Sequence, residues 1–212
     1  MTKGLSTTGS LSFVQLHELK QQNYGFVARY INGGWKQMHY EEARRISDNS
    51  LYVVSLYQEY NNEAKCFSDQ TGISQAKRAL KLAASLKQPH DTPIYFAVDF
   101  DADADEIRNQ IMSYFSGVSA CFADPAENPN HYLIGVYGSN AVCKAVKEHF
   151  GILKIFTMVA AASTGWGGNK NCSFDEWDLR QNRVDRMITL AGRAVEIDEC
   201  ESSGHGGGWR LG

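Results

Sequence analysis

The sequence predicts a small α/β barrel of the TIM-like (β/α)8 type, with one or two of its outer helices missing. Three observations lead there. Eight short, β-rich apolar runs alternate with stretches of helical periodicity along the whole chain, the pattern of a parallel sheet covered by helices. Neither G-x-G-x-x-G nor a P-loop follows any of the runs, as an open doubly wound sheet would be expected to show. The 212 residues suit one sizeable core and lie near the lower limit for eight strand–helix units.

The strands are expected at 3–6, 26–31, 51–57, 94–99, 132–137, 155–162, 174–181 and 194–198. Helices fall between most of them. The stretch 10–22 places Phe13, Leu16 and Leu19 at steps of three. The stretch 73–86 carries Ile73, Ala76, Leu80, Ala83 and Leu86 on one side, and 105–122 repeats Ile107, Ile111, Tyr114, Phe115, Val118 and Phe122 as an apolar stripe. Shorter helices are expected at 39–48 and 140–150. Only the glycine-rich "STGWGGNKNC" separates the sixth strand from the seventh, too little for a crossover helix. Residues 1–201 form the expected barrel domain, and the glycine-rich 202–212 is expected to be a flexible tail.

Composition narrows the function. Hydrophobic residues make up 43% and charged residues 21%, a globular balance, and the net charge of −3 gives no support to nucleic-acid binding. No apolar run approaches the roughly 18 to 20 residues of a membrane span. The opening "MTKGLSTTGSLS" lacks the apolar core of a secretory signal, so synthesis in the cytoplasm is expected. Five cysteines, an odd number at wide spacings, read as free thiols, and no Cys/His cluster has zinc-site spacing.

The stretch "PIYFAVDFDAD" carries the chemistry. An apolar strand runs straight into Asp99, Asp101, Asp103 and Asp105, although carboxylates in a core are costly to desolvate. In a parallel barrel the C-terminal strand ends meet at one functional face. Reading those ends collects Arg29 and Tyr30, then Tyr57, Gln58 and Glu59, Asp99 and Asp101, Tyr137, Ser163 and Trp166, Arg180 and Gln181, and Asp198. Asp99 and Asp101 are two apart and point the same way in an extended segment, where mutual repulsion raises one pKa toward that of a general acid. Such carboxylate pairs are the working parts of glycoside hydrolysis, and Trp35, Trp166 and the tyrosines offer flat faces for sugar rings. Other readings compete residue by residue. Asp103, Asp105 and Glu106 look like a helix start, and Asp101 shares that possibility. Arg29 fits a structural ion pair as well as a substrate contact, and Gln181 fits a hydrogen-bonding pocket residue.

Together "KGLSTTGSLS", "YGFVARYI", "LYVVSLYQE", "PIYFAVDFD", "YLIGVYGSNAVC", "DLRQ" and "EIDE" resemble the glycoside-hydrolase-like domain of unknown function family 1906, a relative of the family 25 muramidases. The resemblance covers about residues 3 to 201. It implies a (β/α)8-type barrel acting on bacterial cell-wall glycan. By position it makes Asp99 the first acid of the muramidases' D-x-E and Asp198 the acid of the last strand. Two departures stand out. Asp101 replaces the glutamate of D-x-E, and Ser6 stands where relatives carry a first-strand aspartate.

The expectation that follows is a peptidoglycan-directed glycoside hydrolase cleaving β-1,4 links without metal or cofactor. Asp99 orients the reacting sugar, Asp101 or Glu59 donates the proton, and Asp198 and Arg29 hold the arrangement. Tyr57, Gln58, Tyr137, Trp166 and Gln181 line the groove. Its substrate lies outside the cytoplasm, so delivery by a dedicated secretion or lysis system is expected, with an immunity protein as a partner. The rival readings are a catalytically silent barrel that binds glycan or a protein, and a metal-dependent sugar transferase holding its ion between Asp99 and Asp101.

Overall fold

A computed structural model describes residues 1–151 and 154–212. Eight strands close into a barrel in chain order. They are β1 Thr2–Ser6, β2 Tyr24–Tyr30, β3 Tyr52–Tyr57, β4 Pro93–Ala97, β5 Leu133–Gly138, β6 Phe156–Val159, β7 Leu179–Leu190 and β8 Arg193–Ser202. The helices are α1 Phe13–Gln21, α2 Tyr40–Asp48, α3 Asp69–Ser85, α4 Ala104–Glu106, α5 Met112–Ala123, α6 Asn140–His149 and the single turn α7 Gly167–Lys170. A π-helical stretch, Ile107–Ile111, joins α4 to α5.

Side chains just ahead of the helices fix where they begin. Ser12 opens α1 with a reciprocal capping box to Gln15, and Ser68 and Ser139 accept backbone N–H groups of α3 and α6. Asp103 does the same for α4. Its Oδ1 accepts the N–H of Asp105 and of Glu106, both at 2.9 Å, while Glu106 reaches back to the N–H of Asp103. The helix-start reading of that acidic run therefore holds for Asp103.

Period-2 alternation divides each strand between two cores. Phe26, Ala28, Val54, Leu56, Tyr95, Met158, Leu179 and Cys200 fill the barrel interior. Residues of opposite parity, such as Val27, Val53, Phe96 and Val136, face outward and pack with Leu16, Ile46, Ala76, Tyr114 and Val118 of the helices. All five cysteines are free thiols.

Three expectations are corrected. The barrel is not parallel throughout, because β8 runs antiparallel to both β7 and β1. Ala191 (φ 50°) and Gly192 (φ 74°) form a two-residue turn with both residues left-handed. Such a turn returns the chain only as an antiparallel neighbour. The strand expected at 174–181 starts late, at Leu179, and extends upward as this hairpin.

The C-terminal segment is not a loose tail. It folds beneath the barrel, where the Tyr95 hydroxyl donates to the Gly206 carbonyl at 2.7 Å and His205 stacks on Tyr52 at 3.9 Å. Trp209 exchanges two backbone hydrogen bonds with Val53 (2.7 and 2.8 Å), and its indole N–H donates to Ser55 Oγ at 3.0 Å. The apolar bodies of Tyr95 and Trp209 make a floor that holds a glycine-rich segment which composition alone would leave mobile.

Candidate active site

At the mouth, above the layer formed by Leu56, Ala97 and Met158, the barrel opens into a cavity of ≈ 270 Å³. Inward parity continues past the strand ends. Tyr30 follows Ala28, Gln58 follows Leu56, Asp99 follows Ala97, and Gln181 follows Leu179. Asp198 and Ser6 sit opposite each other on the antiparallel pair β8–β1. Because β4 and β8 lie four places apart in a closed ring of eight, Asp99 and Asp198 approach the cavity from facing walls.

Each carboxylate has its own supports. Gln58 Nε2 donates to Asp99 Oδ2 at 2.8 Å, while the Asp99 N–H donates to the Asn61 carbonyl at 2.8 Å. Gln58 is held in turn by Asn32, which gives an N–H to the Gln58 carbonyl (2.9 Å) and accepts the Gln58 N–H (3.1 Å). Asp198 Oδ2 accepts from Ser6 Oγ and from Gln181 Nε2, both at 2.9 Å, and Oδ1 accepts the Asp185 N–H at 3.1 Å. The Tyr137 hydroxyl donates to Gln181 Oε1 at 3.0 Å, which fixes the amide with its nitrogen toward Asp198.

The field inside the mouth is negative and partly dehydrated. Burial raises the Asp198 carboxyl above the ordinary aspartate value, and the neighbouring Asp185 adds to the rise. Burial, reinforced by Asp99 and Asp198, pushes the Tyr30 hydroxyl up to about 12. Tyr137 is raised well above its usual value, again chiefly by burial. Both phenols therefore stay protonated, and that of Tyr137 donates to Gln181. Lys36 is the cation at the rim. Its Nζ lies 4.0 Å from the Tyr30 ring centroid and 3.4 Å from Gln58 Oε1, and burial lowers its pKa.

Of the residues expected in the site, Gln58, Asp99, Tyr137, Gln181 and Asp198 converge here. Five others do not line the cavity. Arg29 points outward and is locked, almost fully buried, onto Glu42 (2.7 and 3.3 Å) and the Thr7 carbonyl (2.6 Å). Tyr57 also points outward, and its hydroxyl donates to Glu59 at 3.0 Å. Glu59 pairs with Arg78 of α3 at 2.5 Å. Asp101 has turned away, accepting the N–H groups of Gly167 (2.7 Å) and Gly168 (3.1 Å) at the start of α7. Trp166 precedes that helix as its cap residue. Neither expected proton donor reaches the cavity, nor does Asp101 share a site with Asp99. Among the described residues no three His, Cys, Asp or Glu side chains converge to hold a metal ion.

Asp185, with its neighbour Val184, lines the cavity and is missed by sequence reasoning. It reaches the mouth because the hairpin arches over, with Asp185 itself at φ 52° in an irregular stretch of β7. No local signal in "QNRVDRM" marks such a bend. A larger hollow of ≈ 780 Å³ lies on the flank between α6 and the segment 173–178. Of the acids on its lining, Glu148, Asp175 and Glu176 are exposed and Asp178 is held by the Thr157 N–H and hydroxyl.

The family model of the Rv2525c-like glycoside hydrolase-like domain matches residues 17–200. The chain belongs to this family. YbfG of Bacillus subtilis is 33% identical over 206 residues, covering 90% of this chain and 27% of that protein. The chain thus spans about a quarter of the length of this relative. Rv2525c of Mycobacterium tuberculosis, whose name places it provisionally among the peptidoglycan hydrolases, is 25% identical over 182 residues, 81% of this chain and 70% of that one. Its crystal structure with L-tartrate superposes with a TM-score of 0.74 at 22% identity, covering 98% of both chains. The modular autolysin LytC of Streptococcus pneumoniae, solved with a synthetic peptidoglycan ligand, gives 0.57 at 14% identity, covering 94% of this chain and 46% of LytC. The two structural likenesses establish that the glycoside hydrolase-like domain has the barrel fold of these proteins. Among the described residues, no helix is long and apolar enough to cross a membrane.

Proposed function

We propose that this domain is a peptidoglycan-directed glycosidase that cleaves β-1,4 glycan links by carboxylate acid/base chemistry. The observation that carries the reading is the facing pair Asp99 and Asp198 on one partly dehydrated cavity. In this scheme Asp198, whose pKa is raised by burial, holds the proton for the leaving oxygen. Asp99, oriented by Gln58, stabilises the cationic sugar or directs an attacking group on the opposite face. Ser6 and Gln181 position Asp198, and Tyr30 and Tyr137 stay neutral beside it. The family membership and the peptidoglycan-related names of Rv2525c and LytC support the same substrate class.

Incubation with purified peptidoglycan should release new reducing ends. Asp99→Asn and Asp198→Asn should each lower that rate by about 10²- to 10⁴-fold. A wild-type rate no higher than that of either variant would overturn the reading.

A second reading has its own support. Ser6 supplies a hydroxyl where the muramidase-like arrangement carries an acid, and Asp101 is committed to α7, which leaves the cavity fewer free carboxylates for catalysis. A barrel that binds cell-wall glycan without cutting it fits these facts. Saturable glycan binding with no bond cleavage would select it.

Peptidoglycan lies beyond the cytoplasmic membrane, so either role requires delivery there. As an antibacterial effector carried by a dedicated secretion or lysis system, the protein would require a cognate immunity protein in its producer. Fractionation that finds it only in the producer's cytoplasm would remove the effector role.

A further inference from the structure

Two aromatic side chains stand in water beside the mouth. Trp35 is 80% exposed and Tyr60 is 87% exposed. Trp35 belongs to the loop after β2 and Tyr60 to the loop after β3, both on the face where the cavity opens. Among the described residues, neither ring stacks on another ring or on a cation. A fully wetted indole forgoes the burial that normally stabilises a large apolar side chain.

The backbone is shaped to present them. Gly33 (φ 102°) and Gly34 (φ 60°) are consecutive left-handed residues immediately before Trp35, a turn that glycine adopts without steric cost. Tyr60 itself sits at φ 46°, a conformation unfavourable for a residue with a Cβ.

Both loops are tied to the catalytic wall. The paired amide hydrogen bonds between Asn32 and Gln58 join the two loops to each other. Lys36, next to Trp35, lies over Tyr30 and reaches Gln58, which holds Asp99. Asn61, next to Tyr60, is buried, donates its amide to the Ala97 carbonyl at 2.8 Å and accepts the Asp99 N–H. Each exposed ring is therefore one residue from a side chain bonded into the wall around Asp99.

The axial C–H faces of a β-linked pyranose are apolar and pack flat on an aromatic ring, while the equatorial hydroxyls stay in water. A cavity of ≈ 270 Å³ has room for little more than one sugar ring, so the rest of a polymer must lie on the rim. We infer that Trp35 and Tyr60 are stacking platforms for the glycan strand as it leaves the cavity over the β2 and β3 loops, so that the site recognises an oligosaccharide rather than a single sugar. This inference rests on the glycan-directed reading above.

The test uses Asp198→Asn protein to prevent turnover, titrated calorimetrically with disaccharide and octasaccharide fragments of peptidoglycan strands. Trp35→Ala and Tyr60→Ala should each weaken octasaccharide binding by about three- to tenfold and disaccharide binding by less than about twofold. The octasaccharide should shift the tryptophan emission of the parent, and Trp35→Phe should abolish that shift while retaining affinity. Both side chains are exposed, so unchanged melting temperatures should accompany these losses. Octasaccharide binding unaltered in both alanine variants would overturn the platforms while leaving the glycan reading intact. Absence of any glycan binding by the parent would overturn both.

Discussion

A single carboxyl, Asp198, sets the pH behaviour expected of this site. Burial favours its neutral form, and a general acid works only while it holds its proton. The sign follows directly: kcat/KM should fall as pH rises through the elevated Asp198 pKa. Asp185 contributes to that elevation by like-charge repulsion, and its backbone N–H would survive a side-chain change. Asp185→Asn should therefore move the falling limb to lower pH, as read from kcat/KM profiles. A limb that stays in place would separate Asp198 from the proton-donor role. Arg29 shows the opposite use of charge, since it serves the fold. Glu42→Ala would leave a guanidinium almost fully buried without its carboxylate and should cost about 3–5 kcal/mol in denaturant unfolding. Replacing both partners with Met and Leu should recover much of that loss.

The elements were largely readable because their periodicities are strong. The stripe Ile107, Ile111, Tyr114, Phe115, Val118 and Phe122 packs as a helical face should, against α3. That contact depends on two small residues. A methyl at Gly72 would run into the Tyr114 carbonyl, and one at Gly117 into the Asp69 carbonyl. Helix propensity alone predicts that Gly72→Ala stabilises by up to about 1 kcal/mol. The backbone contact reverses the sign, and a loss of about 1–3 kcal/mol is expected in thermal or urea unfolding. The direction of β8 was not readable, because alternating strands and helices announce how many strands there are but not which way the last one runs. Parity also explains most of the misplaced site residues. Neighbours in a strand face opposite sides, so Gln58 at the cavity excludes Tyr57 and Glu59, and Tyr30 excludes Arg29. Asp101 shares the parity of Asp99, but the strand ends at Ala97 and the chain turns with a hydrogen bond from Ala102 N–H to the Phe100 carbonyl. Beyond that turn, alternation no longer predicts direction.

For the molecule as a whole, the barrel is closed below by its own last residues. Trp209 is 2% exposed, with its indole and backbone both engaged on β3. Trp209→Ala should destabilise the protein by about 3–5 kcal/mol in chemical denaturation, far more than loss of a free tail could. The glycine content of "SSGHGGGWRLG" suggested mobility because composition reports what a segment can do alone, not what an aromatic anchor imposes after folding. The same anchoring sets the polarity of the particle. β1 starts at Thr2 alongside Ser202, and Leu211 hydrogen-bonds Ser47 at the far end of α2. Both chain ends thus depart from the pole opposite Asp99 and Asp198. A reporter, a bead or a further module fused at either end would hang behind the cavity and leave the open pole unobstructed.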